Sequence, residues 1–475
     1  MKVKAFWWLV AGLVAVRLAL MAVVPVFEPS EARYAAISAN MARSGDFVIP
    51  RFTHNLEYQA FDGKPPLVFQ AGGLFCKVFG VNEFAVRLFP FLSAVLLLAI
   101  LYHAVKRESD AETGRLAVLV CATCTAFYAA AGISMTDMSL TCCVAGALLL
   151  YRCFQARYDL RYAMCVAALL GAGMIVKGPV ALVMFGLPVL LDAAVNRRWK
   201  AVFNWRWMVA APVFFAVAAP WFVLSEQRNP GSVWYFFYNE NFMRFISHDY
   251  GDKYGAGREA FRGVSILWAV VATLPWPLIP LLRNNRMGEN NRIIELANNR
   301  IGEDEESRSA HSMIPSSPHP LIRLFDYSSI RLFPHSIIRL FVNSIIPSFY
   351  FLSLLAIVGF WCLTSRVLVY YLFPVIPLFA AGFTLWCGKA RLARFVPWCA
   401  LISAVVVTGA LVGGMFLSDK MRGAETKFSV MENHYACEFY HGRKSDAELA
   451  KLRALRDELQ ARRKAVRAAR EAARK

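Results

Sequence analysis

Nine charged residues stand apart from the anchoring clusters of this chain and have types that could do chemistry: Glu31, Arg33, Asp62, Lys64, Asp137, Lys177, Glu240, Arg244 and Arg366. Carboxylates can take a proton or face a developing cation, while Lys and Arg can neutralise an anion, phosphate above all. The most constrained of the nine is Lys64, in the stretch FDGKPPL from Phe61 to Leu67. Pro65 drives Lys64 toward an extended backbone, and neither proline can continue a preceding helix. The lysine is therefore set on a stiff corner, where its ammonium suits phosphate as a fixed point charge.

The elements that must hold these residues are membrane-length. Of 475 residues, 57% are hydrophobic, with 36 Phe and 12 Trp, and the apolar residues come in blocks of 15 to 23. Blocks of that length suit a bilayer core of about 30 Å. Eleven spans are predicted: Ala5–Val24, Leu88–Val105, Leu116–Ala131, Met138–Phe154, Tyr162–Val176, Val180–Val195, Trp207–Leu224, Val264–Leu282, Ile345–Leu363, Val367–Trp386 and Phe395–Leu417. The first follows Lys2 and Lys4 and is followed by Pro25 to Pro29 rather than a small-residue cleavage site, which reads as an uncleaved anchor. The expectation is an all-α polytopic membrane protein.

Short connections with clustered Lys and Arg recur in alternate loops. Lys106, Arg107 and Arg115, then Arg152, Arg157 and Arg161, then Arg197 to Arg206, then Lys389 to Arg394 mark the cytoplasmic side. The net charge of +19 clusters at these span ends, so it reads as topology and not as a nucleic-acid surface. All nine residues named above then fall on the outward side, in Pro25–Arg87, Gly132–Asp137, Lys177–Pro179, Ser225–Gly263 and Thr364–Arg366. Two of these loops are long enough to hold helices lying on the membrane surface. Arg17, inside the first span, costs about 2.5 kcal/mol or more there and is expected to face the bundle interior or to snorkel outward.

Eleven cysteines lie almost wholly in apolar blocks. Cys121 and Cys124 have redox spacing but no thiolate-stabilising charge nearby, and read as packing residues. Residues 284–343 carry IRLF at a period of eight, from Ile322, Ile330 and Ile338, and read as a low-complexity cytoplasmic insertion. The tail 418–475 reads as a separate basic helical region. Ser445 and Glu448 can form a capping box, and twelve Lys/Arg face five Asp/Glu from Arg443 onward. Binding to anionic lipid and a solvated tail both fit that composition.

Ordered motifs along the chain resemble a known family. PSEARYAAISANMARSGDFVIPRF from Pro29, FDGKPPL, FGVNEFAVRLFP from Phe79, MTDMSLT around Asp137, VKGPVAL around Lys177, YFFYNENFMRF from Tyr235, LPWP at Leu274 and VYYLFPVIP from Val369 are similar to those of polyprenyl-phosphate-sugar glycosyltransferases. The resemblance is strongest to the branch of lipid A aminoarabinose transferases and bacterial relatives of protein mannosyltransferases. It implies a GT-C helical bundle over 1–417, with a catalytic first outward loop, 27–87, containing amphipathic helices. It also implies a polyprenyl-phosphate-sugar donor, a lipid A-like glycolipid or protein as acceptor, and a bacterial inner-membrane location with the site facing outward.

By that resemblance Glu31, Asp137 and Asp62 are the expected catalytic carboxylates. Lys64, Arg244, Lys177 and Arg366 are expected at the donor phosphate, and Arg33, Tyr34, Glu240 and Tyr371 at the substrate. The chain departs from the aminoarabinose transferases where Ser30 stands for an aspartate, Gly63 for a glutamate and Asn241 for a histidine. A hydroxyl acceptor would require a base, Glu31 first and Asp137 second, whereas a phosphate acceptor requires none. The scheme calls for no metal or other cofactor beyond the lipid-linked donor. The rival class is a multi-span transporter of a lipid or small anionic solute, which would be expected to carry mid-membrane ionisable groups or internal repeats beyond Arg17.

Overall fold

The computed structural model describes residues 3–27, 29–246, 253–254, 260–278, 348–364, 367–387, 389–422 and 435–472. The low-complexity stretch, Arg366 and Cys437 lie outside the residues or side chains described. Helix α1 (Val3–Val23) is followed by a first loop holding α2 (Ser30–Ser44), the strands β1 (Arg51–His54) and β2 (Glu57–Ala60), and α3 (Leu67–Phe79). The bundle continues with α4 (Glu83–Glu108), α5 (Ala111–Ala122), α6 (Thr125–Ala130), α7 (Thr136–Arg157), α8 (Leu160–Lys177), α9 (Val180–Asn196) and α10 (Arg206–Arg228). A π-helix, Tyr235–Met243, precedes α11 (Val264–Thr273), α12 (Phe349–Cys362), α13 (Val375–Cys387) and α14 (Lys389–Arg422). The tail forms α15 (Tyr435–His441) and α16 (Asp446–Ala472).

The protein is a multi-pass membrane protein. Among the described residues six helices are long and apolar enough to cross a bilayer, α1, α4, α7, α8, α10 and the 392–414 part of α14, and five apolar helices are shorter. Eleven spans are therefore not reached by length alone. The expected span Leu116–Ala131 is broken between α5 and α6. There Thr123 Oγ1 donates back to the Leu119 carbonyl (2.6 Å). Freed backbone groups find partners on other segments: Thr125 N–H donates to Leu274 O at 2.9 Å, and Ser403 Oγ donates to Thr123 O at 2.6 Å. A break at membrane depth is tolerated where it is buried in protein like this.

Helix α7 is the centre of the bundle. Ala145, Gly146 and Ala147 keep its surface low, so α4, α8 and α9 approach it closely, and almost its whole length is buried. Helices α1, α10 and α14 are peripheral and turn Trp8, Phe215, Trp398 and Val405 outward, as lipid-facing helices do. Arg17 points inward, as expected: it is 2% exposed, and its Nη2 donates to Ala129 O at 2.6 Å.

The first loop differs from the expected set of helices by one two-stranded hairpin. Arg51 pairs with Ala60 and His54 with Glu57, and Asn55 and Leu56 turn the chain with φ of 50° and 63°. Two successive positive φ values match the twist of the strands. Phe52 and His54 point into the protein, and this alternating pattern selects a strand over a helix here.

The tail is not a separate region. Helix α14 runs through position 418 without a break, and α15 packs on α2. Glu438 accepts from Asn40 Nδ2 (2.7 Å) and from the backbone N–H of Thr53 (2.9 Å). Phe439 is fully buried. The expected capping box is present: Ser445 N–H donates to Glu448 Oε2 at 2.8 Å, and Glu448 N–H to Ser445 Oγ at 3.3 Å.

Candidate active site

The loops expected on one side do meet at one end of the bundle. Their meeting point is built on the π-helix. Its i to i+5 repeat stacks Tyr235 directly against Glu240, with the hydroxyl donating to Oε1 at 3.3 Å. Asn241 Nδ2 donates to the Phe236 carbonyl at 2.8 Å, the same spacing again. Glu240 is 4% exposed and also receives Arg244 Nη1 at 3.2 Å, one turn on. Lys64 arrives from the Pro-Pro corner, its Nζ 3.8 Å from Glu240 Oε2 and 2.9 Å from the Gly63 carbonyl. Burial, with Arg244, Lys177 and Arg33 nearby, pulls the Lys64 ammonium down to about 8 against the pull of Glu240.

Behind this group lies a second pair. Asp137, in the first turn of α7, receives Lys177 Nζ from the end of α8 at 2.5 Å. The same ammonium stands 4.4 Å from the centre of the Tyr371 ring. Helix α8 must stop at once for α9 to begin beyond it, and Gly178 adopts φ 87° to do so. A Cβ at that position would run into the Phe236 ring, so the glycine also lets the π-helix sit against Lys177.

Arg33 and Tyr34 come from α2. The Arg33 guanidinium lies 5.4 Å from the Tyr34 ring, 5.6 Å from Phe61 and 5.8 Å from Tyr435. Its Nε is buried without a hydrogen-bond partner, and no carboxylate pairs with it among the described residues. Tyr34 is 6% exposed and lies in the field of Arg33, Asp137, Lys177 and Tyr371. Asp62 stands at the rim, accepting from Asn229 Nδ2 (2.8 Å) and paired with Lys253 Nζ (3.2 Å). It fastens the first loop to the segment around the π-helix.

Glu31 is placed differently from expectation. It is 3% exposed, and both its oxygens are taken by Arg87: Nε to Oε1 at 2.8 Å and Nη2 to Oε2 at 3.0 Å. Phe27 N–H and Ser134 N–H add two more bonds at 3.0 Å each. Arg87, itself buried, donates in turn to the carbonyls of Met21, Val24 and Pro25. A carboxylate holding four donors and sealed from solvent has no lone pair to spare for a substrate proton. Glu31 ties α1, α2, α4 and the turn before α7 together, an arrangement unlike the open carboxylate expected of a first base.

Arg366 lies outside the described residues. Several residues at the site escape the sequence reading: Arg87, Tyr235, Lys253, Tyr254 and Tyr435. Arg87 had a signal, a lone arginine at the start of a span. Tyr254 explains one departure from the family pattern, since a Cβ at Gly63 would lie 2.9 Å from its ring. The volume that a side chain at position 63 would need is filled by that tyrosine. Among the described residues no group of three or more His, Cys, Asp or Glu could hold a metal ion.

Residues 63–223 match the family model described as Dolichyl-phosphate-mannose-protein mannosyltransferase. The chain is 28% identical over 255 residues to the undecaprenyl phosphate-alpha-4-amino-4-deoxy-L-arabinose arabinosyl transferase of Edwardsiella ictaluri, covering 52% of this chain and 45% of that protein. It is 27% identical over 287 residues to the protein of the same name from Serratia proteamaculans, covering 58% of this chain and 48% of that one. The match thus spans less than half the length of these curated relatives. The crystal structure of ArnT from Cupriavidus metallidurans bound to undecaprenyl phosphate superposes with a TM-score of 0.60 at 20% identity, over 93% of this chain and 76% of that one. The chain has the GT-C fold, and part of it is similar in sequence to the transferases that carry those names. The motifs around Lys64, Asp137, Lys177 and Glu240 that led to the resemblance lie at that same end of the bundle.

Proposed function

We propose that the chain is a membrane glycosyltransferase that moves a sugar from a polyprenyl-phosphate donor to a glycolipid or protein acceptor. The proposed setting is the bacterial inner membrane, with the site open to the outer face. The observation that carries this reading is a cluster of cations in a water-poor recess. Lys64, Arg33, Arg244 and Lys177 converge there, with Glu240 and Asp137 among them. The gathered cations match a bound phosphate and the negative charge that grows on it as the sugar leaves. Interactions that strengthen as charge develops lower the barrier, and a low-dielectric site magnifies them.

In this reading the bond between the sugar's anomeric carbon and the phosphate oxygen breaks, and the polyprenyl phosphate keeps the electron pair. Lys64 and Arg33 hold that phosphate, and Arg244 supports them through Glu240. Asp137 fixes Lys177, with Tyr371 below it. Each carboxylate proposed for proton transfer is already engaged: Glu31 with Arg87, Asp62 with Lys253, Asp137 with Lys177. This supports an acceptor already ionised at neutral pH, such as the phosphate of a lipid A-like glycolipid, over a hydroxyl that must first lose a proton. Residues 27–87 are proposed as the catalytic loop within the domain 1–417, and 284–343 as dispensable.

The test is transfer of label from a polyprenyl-phosphate sugar in proteoliposomes holding either a phosphorylated glycolipid or a hydroxyl-bearing protein acceptor. Label in the phosphorylated glycolipid is the result expected. Movement of intact donor across the bilayer with no product would support the transporter reading instead.

A further inference from the structure

The guanidinium of Arg33 is caged by three aromatic rings, and the third wall does not belong to the first loop. Tyr34 and Phe61 come from within about thirty residues of Arg33, but Tyr435 comes from α15 in the C-terminal tail. Tyr435 is 5% exposed, packs on Phe52 at 5.7 Å between ring centres, and stacks with His54 at an interplanar angle of 10°. Its hydroxyl lies 2.9 Å from His54 Nδ1. His54 Nε2 lies 3.1 Å from the Lys253 carbonyl, which only accepts, so Nε2 carries the proton and Nδ1 accepts from the tyrosine.

A helix as short as Tyr435–His441 does not form from its own propensity. It is set in place by the first loop. Asn40 and Thr53 donate to Glu438, and Arg43 donates to the carbonyls of Glu438 (3.1 Å) and Phe439 (2.7 Å). Tyr440 donates to Glu83 at 2.8 Å and accepts from Val26 N–H at 3.3 Å. These contacts hold Tyr435 against a cation that no carboxylate restrains among the described residues. An aromatic face attracts a guanidinium without neutralising it, so the charge stays available to an anion while its direction is fixed.

We propose that the C-terminal segment 435–441 is a working part of the site, with Tyr435 as a positioning residue that completes the cage around Arg33 and so sets affinity for the donor phosphate. The inference rests on the donor reading above. The full-length protein in proteoliposomes is titrated with undecaprenyl phosphate alone, and KM and kcat are measured with the sugar-bearing donor. Tyr435→Phe keeps the ring and should bind within about twofold of wild type, whereas Tyr435→Leu should weaken binding and raise KM about five- to tenfold, with kcat nearly unchanged. Glu438→Ala, which frees the segment without touching the cage, should do the same and serves if Tyr435→Leu does not insert. In an Arg33→Met background, Tyr435→Leu should add no further loss, because the partner is gone. A fall in kcat and melting temperature with unchanged KM, or equal losses with and without Arg33, would reduce the segment to a strut. Wild-type protein that binds no undecaprenyl phosphate would instead overturn the donor reading, and this inference with it.

Discussion

Two charge groups that each take one member from the first loop's interior, Glu31 with Arg87 and Lys64 with Glu240, have opposite electrostatic designs. In the first, the carboxylate and guanidinium meet in two parallel bonds of 2.8 and 3.0 Å, and every remaining donor is spent on backbone carbonyls. In the second, ammonium and carboxylate stand 3.8 Å apart, Glu240 is shared with Arg244, and Lys64 retains 17% exposure. One group is closed by paired, short bonds; the other is open, its carboxylate shared between two cations. Closure is what a strut needs, since an unpaired buried charge is expensive. Residual charge is what an anion site needs, and its cost appears as the lowered proton affinity of Lys64.

The largest effect should come from opening the closed pair. Glu31→Gln or Arg87→Met leaves one buried charge uncompensated, which costs about 3–5 kcal/mol of stability. The loss would be read as a lower melting temperature in detergent and less protein in the membrane. Transfer per folded molecule should fall far less than folding does. A Glu31→Gln protein of normal stability with abolished transfer would break the comparison and return Glu31 to the chemistry.

Removing the open group should do the reverse. Lys64→Ala should lower turnover about 100-fold or more while melting temperature stays near wild type. Near-normal turnover in that variant would show that the recess does not hold the phosphate through Lys64.

A smaller and more diagnostic effect is expected from pH. Lys64 is cationic below its value of about 8 and neutral above it. The donor is a phosphodiester and keeps its charge across that range. So kcat/KM should be level below pH 8 and fall about tenfold per unit above it. The kcat profile should break at higher pH, because bound phosphate favours the charged ammonium. Lys64→Arg should lose part of its activity, about three- to tenfold, since a planar fork does not replace a point charge, but should abolish the alkaline fall. An unchanged break in Lys64→Arg would assign the titration to another group.

The site was legible in the sequence where local chemistry announced it. Pro65 and Pro66 gave away Lys64, and charge alternation placed Asp137, Lys177 and Glu240 at one end before any contact was known. What the sequence did not disclose were pairings between distant segments. Nothing near Glu31 reveals that Arg87, fifty-six residues on, fills its lone pairs. Tyr435 is harder still, because its seven-residue helix has no periodicity to read and its burial depends on Asn40, Arg43 and Thr53. The hairpin was overlooked because its strands are four residues each, too short for a period of two to stand out. The break in the third predicted span hid for a different reason. Its run is almost wholly apolar, and Leu274, Trp276 and Ser403, from elsewhere in the chain, make the interruption tolerable.

The π-helix makes the count of residues matter as much as their identity. Removing a residue such as Met243 would let the segment relax to an ordinary α-helix, in which residues five apart no longer face one another. Tyr235 would then turn away from Glu240, and Phe236 from Asn241, although every chemistry-bearing side chain was still encoded. Substitution of an exposed position such as Phe242 leaves the turn count intact and should be tolerated far better than a single-codon deletion beside it. Insertions and deletions in this stretch should thus be rare among functional descendants of the chain, even where its aromatic residues drift.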